Sequence, residues 1–290
     1  MDHADLSARR FACTQCGRCC NRPPEVELGE AAALADVFAW QVLFRLYSLP
    51  RSPQPQLPGQ SREQAAAEFY ETRRLLTRFA AHTFEGKALV AGVRQPRSFY
   101  LTISALAFDP DLGNCPMLSD TRCSIYPRRP LSCRSVPLHY SRPLAAASRD
   151  LDAFVATPGF ACATGPDAAV ILRQGQIVDA ELAAAHLAAA DQADADRPWK
   201  KAIVKAMKAG SANLPSLAQI EQHAATGALT VPMHSAWKVA VKAGLYPANQ
   251  AQNALAAQAS LLEHMARQPG LPLQKLQEIA ELRRAAIQPL

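Results

Sequence analysis

The residues with the clearest chemical potential are eight cysteines, all within the first 162 positions of a 290-residue chain. Four of them form the run Cys13-Thr-Gln-Cys16-Gly-Arg-Cys19-Cys20. Two cysteines at this interval can bind one metal ion, because the tight turn between them aims both sulfurs inward. A glycine after the second cysteine lets backbone N–H groups approach the sulfur. The run therefore predicts a metal centre with thiolate ligands.

The other four cysteines are Cys115, Cys123, Cys133 and Cys162. Cys115 precedes a proline, as does the remote ligand that completes a bacterial ferredoxin cluster, whose other three ligands have the Cys13, Cys16, Cys19 spacing. Prolines between Cys123 and Cys133 stiffen that segment, so two thiolates are held there with little entropy left to lose.

We predict that all eight cysteines are metal ligands. The alternative for Cys20 and Cys162 is a place in the hydrophobic core, since a single buried cysteine often packs as a small hydrophobic residue. Eight thiolates allow two sites of four, and one site with spare thiols stays open. His139 is a weaker candidate ligand, for which a core or surface role is favoured.

The metal is either iron, in an iron–sulfur cluster, or zinc, because soft thiolates suit both. A structural zinc module usually has two separated CxxC pairs, and the second pair is missing here, which favours a 4Fe-4S cluster. Such a cluster with four thiolates is negatively charged. Arg18 and Arg134 each adjoin a cysteine and would partly balance that charge, the alternative being that they are solvated surface residues.

In these residues the sequence resembles the bacterial CxxCxxCC family of zinc- or iron-chelating domains, which includes YkgJ-like cysteine-cluster proteins and flagellin lysine N-methylase. The resemblance covers residues 11 to 165 and implies a bound metal centre. For the methylase members it implies methyl transfer from S-adenosylmethionine to protein lysines. Because the sequence has no glycine-rich strand-to-helix loop for that cofactor, the methylase hypothesis depends on the resemblance. The matching text is Phe11-Ala-Cys-Thr-Gln-Cys-Gly-Arg-Cys-Cys20, Cys115-Pro-Met-Leu and Cys123-Ser-Ile-Tyr-Pro-x-Arg-Pro-x-x-Cys133-Arg.

Composition narrows the other functional classes. The formal charge of +6 comes mainly from residues 1 to 150, which hold 19 Lys or Arg against 14 Asp or Glu. Because the arginines cluster near cysteines, an anionic cofactor explains this excess better than nucleic acid. No apolar run approaches the ~20 residues of a membrane span, and the N-terminus lacks the apolar stretch of a secretion signal. We therefore expect a cytoplasmic protein, for which metal ligation explains eight cysteines better than disulfides do. The sequence neither identifies nor excludes a protein partner.

The sequence patterns around and after the cysteines predict a predominantly helical α+β fold. A CxxCxxCC metal-binding domain with a few short strands is expected over residues 1–165, and an all-α region over 166–290. The N-terminal predictions are strands at 25–28, 88–93 and 98–108, helices at 29–47 and 61–81, and a proline-rich loop at 50–61. Proline starts and glycine ends predict helices at 179–190, 197–209, 215–225, 232–243, 247–267 and 272–287.

Three functional hypotheses follow. The first is a metal-binding protein, favoured as an iron–sulfur protein with a redox or structural role. The second is a protein lysine N-methyltransferase, an enzyme suggested by the family resemblance. The third is a zinc-stabilised interaction module. No Ser-His-Asp, HExxH or P-loop pattern is present, so no hydrolase or NTPase hypothesis can be built.

Overall fold

The computed structural model describes residues 8–55, 58–109, 115–211, 213–223 and 228–290. The strands in those residues are β1 (Ala8–Arg10), β2 (Glu25–Val26), β3 (Trp40–Pro50), β4 (Ala80–Val90), β5 (Val93–Ala107), β6 (Leu118–Ser119), β7 (Arg122–Cys123), β8 (Val170–Arg173), β9 (Gln176–Ile177) and β10 (Leu229–Pro232). The α-helices are α1 (Leu28–Ala33), α2 (Arg62–Phe79), α3 (Leu131–Arg134), α4 (Ala147–Val155), α5 (Ala180–Ala195), α6 (Arg197–Lys208), α7 (Leu217–His223), α8 (Met233–Lys242), α9 (Ala248–Ala266) and α10 (Leu273–Ala286). The predicted helix-dominated α+β class is confirmed.

The main sheet is antiparallel and is built around β5. Its order is β10-β3-β5-β2, and β4 also pairs with β5. Consecutive residues of β3 such as Leu43 and Phe44 are both buried, so both faces of this strand are covered. Trp199 of α6 and Trp237 of α8 belong to the same hydrophobic cluster, which we call the main core.

A smaller sheet of order β1-β8-β9 lies over a second hydrophobic cluster. This cluster, which we call the small core, includes Phe11, Leu138, Leu151, Leu172 and Leu182. β6 and β7 form a separate hairpin in which Leu118 pairs with Cys123. The cysteine-bearing segments therefore adjoin two different hydrophobic clusters.

The predicted helix at 29–47 is wrong. The helix ends at Ala33, and strand β3 begins at Trp40. Its apolar residues match helical spacing only because a continuous apolar run fits either period, and this run is rich in the aromatic and β-branched residues that strands favour. The helix predicted from Ser61 is confirmed, and the Ser61 side chain accepts a hydrogen bond from the backbone N–H of Gln64.

The strands are longer than the few short strands expected. β3 and β4 have 11 residues each and β5 has 15. The strand predicted at 88–93 contains the β4–β5 turn at residues 91–92, and antiparallel pairing on both sides of this turn forms a long hairpin. The C-terminal helices lie close to their predicted bounds, although 224–227 fall outside the described residues.

The region after residue 165 is helical but not all-α, since β8, β9 and β10 lie in it. β8 pairs with β1 and β10 with β3. Strand pairing satisfies backbone groups that the N-terminal strands would otherwise leave open. The two regions therefore share both sheets.

A buried ion pair also joins these regions. Nζ of Lys200, on α6, lies 2.5 Å from Oε2 of Glu27, and both side chains are almost fully buried. Burial raises the pKa of Glu27 to about 7, and the attraction of Lys200 only partly opposes this.

No helix within the described ranges is long and apolar enough to cross a membrane.

Candidate metal centre

All eight cysteines line one cavity of about 1180 Å³. They reach it from separate places in the fold: the loop at 13–20, the hairpin region at 115–123, helix α3 and the loop before β8. All eight are free thiols. Distant parts of the sequence therefore contribute cysteines to the wall of one cavity.

The loop at 13–20 is fixed by a close approach to the β6–β7 turn. Gly17 has a φ of 71°, and a Cβ added to it would lie 2.8 Å from the carbonyl oxygen of Thr121. Only glycine combines this left-handed backbone with so close a contact. The glycine inside the cysteine run is thus required to seat the loop against the hairpin that carries Cys123.

Three of the thiols accept a hydrogen bond from the backbone N–H two residues later. Gln15 N–H donates to Sγ of Cys13 at 3.4 Å, and Arg18 and Met117 donate to Cys16 and Cys115. These hydrogen bonds stabilise negative charge on sulfur, and the one from Arg18 is the main reason that the pKa of Cys16 is lowered. Hydrogen bonds to sulfur are also one of the means by which proteins tune iron–sulfur clusters.

One group of thiols, which we call the Cys162 set, consists of Cys13, Cys16, Cys19 and Cys162. Backbone hydrogen bonds of 2.8 and 3.1 Å pair Ala12 with Ala163 and so place the two flanking cysteines side by side. The Thr14 hydroxyl donates to the carbonyl of Ala161 at 2.8 Å. Burial raises the pKa of Cys162, and the charges of the other three thiols of the set raise it further.

The remaining thiols, which we call the Cys133 set, are Cys20, Cys115, Cys123 and Cys133. The N–H of Cys115 donates to the carbonyl of Cys20 at 2.9 Å, and the N–H of Leu118, which pairs with Cys123, donates to the carbonyl of Cys115. Burial raises the pKa of Cys133 to about 12, and the charges of Cys115 and Cys123 contribute. Burial raises the pKa of Cys115 as well, again with a contribution from Cys123.

The two sets meet at the adjacent residues Cys19 and Cys20. The thiol of Cys20 donates a hydrogen bond to the sulfur of Cys19, which lowers the pKa of Cys19 to about 6 and raises that of Cys20. The charges of Cys115 and Cys133 also raise the pKa of Cys20. Cys20, which the sequence left between a ligand and a core role, therefore faces the thiols of the distant segments.

The arginine whose charge acts on the thiols of both sets is Arg129, which is neither of the two that adjoin a cysteine in the sequence. The Arg129 guanidinium lies 3.6 Å from the centre of the Tyr126 ring. Its charge adds to the causes that lower the pKa of Cys19, and it weakly opposes the burial that raises the pKa of Cys133. The i, i+3 spacing of tyrosine and arginine within the Cys123–Cys133 segment was a usable signal for this contact. Arg134 instead acts on the buried carboxylate of Glu30.

His139 lies in the wall of the same cavity. Burial lowers its pKa to about 4, and the nearby positive charges of Arg22 and Arg142 contribute. The backbone N–H of Ser141 donates to Nδ1 at 3.2 Å. The imidazole is therefore neutral, with its proton on Nε2.

The donor set fits a thiolate-bound metal by its chemistry. Eight soft sulfur ligands, free of disulfides and facing a common cavity, suit zinc or iron–sulfur iron. Within the described part of the chain, no three His, Cys, Asp or Glu side chains are arranged to hold a metal ion as they stand. The fit thus rests on donor type and shared location, and not on a completed coordination shell.

Comparison with known proteins agrees with this chemistry. No protein of curated function and no solved structure matches the chain significantly. Residues 12–156, half of the chain, match the family model described as "CxxCxxCC: Putative zinc- or iron-chelating domain". The matched range holds seven of the eight cysteines that line the cavity, together with the glycine that seats the first loop. The chain therefore belongs to the CxxCxxCC family.

Proposed function

We propose that this is a metal-binding protein whose cysteines hold an iron–sulfur cluster, with a redox or structural role in the cytoplasm. The observation that carries the proposal is that all eight thiols line one cavity. Among thiolate-bound centres, a cluster is favoured over zinc because the ligand segments lack a second CxxC pair. When bound, the cluster would supply one-electron chemistry or hold the ligand segments together.

Two features of the chain itself support this assignment. Backbone N–H groups already point at the sulfurs of Cys13, Cys16 and Cys115. The positive charge of Arg129 lies near enough to lower the pKa of thiols from both sets. Both features favour anionic sulfur, which is the form that binds metal.

The test is metal and acid-labile sulfide analysis of the full chain purified without oxygen. We expect iron and sulfide in similar amounts and a visible charge-transfer absorption. Stoichiometric zinc without sulfide would replace the cluster with the zinc-stabilised interaction module, and a protein that binds neither metal would overturn metal binding altogether. Cys16→Ser should bind less metal than the wild type, whereas Ser48→Ala, which changes the same cavity wall and removes no thiol, should bind as much.

The family resemblance suggests a second candidate function, protein lysine N-methylation, and the cavity has room for its cofactor. A volume of about 1180 Å³ exceeds what thiolate ligands need and lies just above the ~300–1,000 Å³ of sites for organic molecules. The cavity wall continues past the cysteines to Glu27, Tyr47 and Tyr140. The reaction would move the methyl group of S-adenosylmethionine from its sulfonium to a lysine amine, releasing a proton and S-adenosylhomocysteine.

Calorimetric titration with S-adenosylmethionine and mass spectrometry of a lysine-rich protein substrate test this second function. Saturable binding and a gain of methyl groups would support it. Absence of binding to the metal-loaded chain would exclude it and leave the metal-binding proposal intact.

A further inference from the structure

We propose that the eight cysteines form two metal centres of four thiolates each, one held by the Cys162 set and the other by the Cys133 set. This inference rests on the proposed function, that these thiols bind metal. It adds the division of the ligands, which spacing alone leaves open. It also assigns the adjacent cysteines of the CxxCxxCC run to different centres.

The first support is which chain segments supply the thiols. Cys162 lies beside the loop that carries Cys13, Cys16 and Cys19. Cys115 and Cys123 lie in the hairpin region, whose Cys115 N–H donates a hydrogen bond to the carbonyl of Cys20, and Cys133 lines the same cavity from α3. Four thiolates are a full complement for a tetrahedral zinc site and for a 4Fe-4S cluster alike. The division therefore gives two complete ligand sets with no spare thiol.

The second support is that separate backbone contacts build each set. The Ala12–Ala163 pairing joins the two chain segments of the Cys162 set. The hydrogen bond from Cys115 to Cys20 joins those of the Cys133 set. Cys162 packs against the small core and Cys115 against the main core. Each set therefore has its own framework.

The third support is the pair Cys19 and Cys20, where the two sets meet. Metal-binding cysteines of one site are usually separated by two to four residues, and adjacent cysteines chelate one ion poorly. If each serves its own centre, both can be ligands without that strain. Their α-carbons are about 3.8 Å apart, as in any trans peptide, so the two centres are neighbours.

A set of serine variants tests the division on the full chain, with metal and sulfide per chain as the readout after anaerobic reconstitution. The single changes Cys162→Ser and Cys133→Ser should each leave about half of the wild-type metal. The double variant Cys162→Ser/Cys133→Ser, with one change in each set, should bind none. The matched double variant Cys13→Ser/Cys162→Ser, with both changes in one set, should still bind about half, because the second change falls in a centre already lost.

Other results would overturn the division in distinct ways. Complete loss of metal in either single variant would indicate one shared centre. Full retention in Cys162→Ser would remove that residue from the ligands. A wild-type chain that binds no metal would instead refute the proposed function on which the inference rests.

A measurement on the unaltered chain keeps the proposal testable if variants misfold. The metal-free chain is titrated with zinc, and the remaining reactive thiols are alkylated and counted by intact-mass spectrometry. Two centres predict molecules with eight, four or no labels, and peptide mapping should place the four labels within one set. An intermediate with another number of labels, labels divided between the sets, or a direct change from eight to none would overturn the division.

Discussion

The two cysteine sets differ in what supports them. The Cys133 set adjoins the main core, and burial raises the pKa of Cys115 and Cys133. The Cys162 set adjoins the small core, and hydrogen bonds lower the pKa of Cys16 and Cys19. One family motif thus places cysteines in different environments. Burial raises the pKa of two thiols in the Cys133 set, whereas in the Cys162 set a backbone N–H lowers the pKa of Cys16 and the Cys20 thiol lowers that of Cys19, although burial raises that of Cys162.

The largest expected effects come from truncating the two cores separately. Leu172 of the small core and Leu101 of the main core are both fully buried. Leu172→Ala and Leu101→Ala should each lower the free energy of unfolding by about 2–5 kcal/mol, through lost burial and the cavity left behind. Urea denaturation measures this loss.

In the same variants, the alkylation rates of individual cysteines show which core supports which set. In metal-free protein, Leu172→Ala should speed alkylation of Cys162 more than that of Cys115, and Leu101→Ala should do the reverse, because local opening follows local packing. Equal acceleration of both cysteines by both variants would show that the two cores open as one unit.

A change at Glu30 should alter how stability depends on pH. Oε1 of Glu30 accepts the N–H of Leu131 at the start of α3, which carries Cys133, and burial raises the pKa of Glu30 to about 7. The folded state therefore binds more protons than the unfolded state between about pH 4.5 and pH 7. The stabilising contribution is complete below that window and is lost as the pH rises through it.

Glu30→Gln removes this dependence and keeps an acceptor for Leu131. Relative to the wild type, the variant should gain about 2–3 kcal/mol of stability between pH 4.5 and pH 7.5, measured by urea denaturation at each pH. Glu85→Gln, at an exposed carboxyl, is the matched control for the removal of one carboxyl group. A flat difference for Glu30→Gln would mean that this carboxyl ionises normally in the folded protein.

A smaller effect is expected where the loop at 13–20 meets the β6–β7 hairpin. Gly17 and Gly159 both have positive φ, but a Cβ at Gly17 would meet the Thr121 carbonyl, whereas one at Gly159 would meet no atom within 4 Å. Gly159→Ala should cost about 1 kcal/mol, for backbone strain, and Gly17→Ala about 1–2 kcal/mol more. Thermal unfolding compares them, and equal costs would show that the loop is not seated on the hairpin.

The smallest expected effect concerns the charge near both sets. Arg129→Gln should raise the pKa of Cys19 in metal-free protein by an amount worth less than about 1 kcal/mol, because the hydrogen bond from Cys20 is the larger cause of its low value. The pH dependence of Cys19 alkylation measures this shift. Arg128→Gln, at a residue whose side chain pairs with Asp36 at the surface, should leave it unchanged. Equal shifts in both variants would assign the effect to overall charge.

The site was more predictable from sequence than the sheet. Thiol spacing and the following prolines and glycines are local signals, and they identified the eight cysteines as candidate ligands and located the C-terminal helices. The 29–47 segment was misread because its apolar residues satisfy helical and strand spacing alike, and only pairing with β5 decides between them. The division of the thiols that we propose has no local sequence signal either, since it depends in part on the pairing of Ala12 with Ala163, which are 151 positions apart.

The pairing of β10 with β3 affects which fragments of the chain can fold by themselves. The family match ends at residue 156, well before the strand that covers this side of β3. A fragment cut there would expose the edge of β3 at the four residues that β10 covers, Gln41 to Phe44, and an uncovered strand edge is a site through which proteins aggregate. It would also leave the carboxylate of Glu27 buried without its lysine. The residues after the family match therefore supply a strand partner and a counter-charge that the matched half needs.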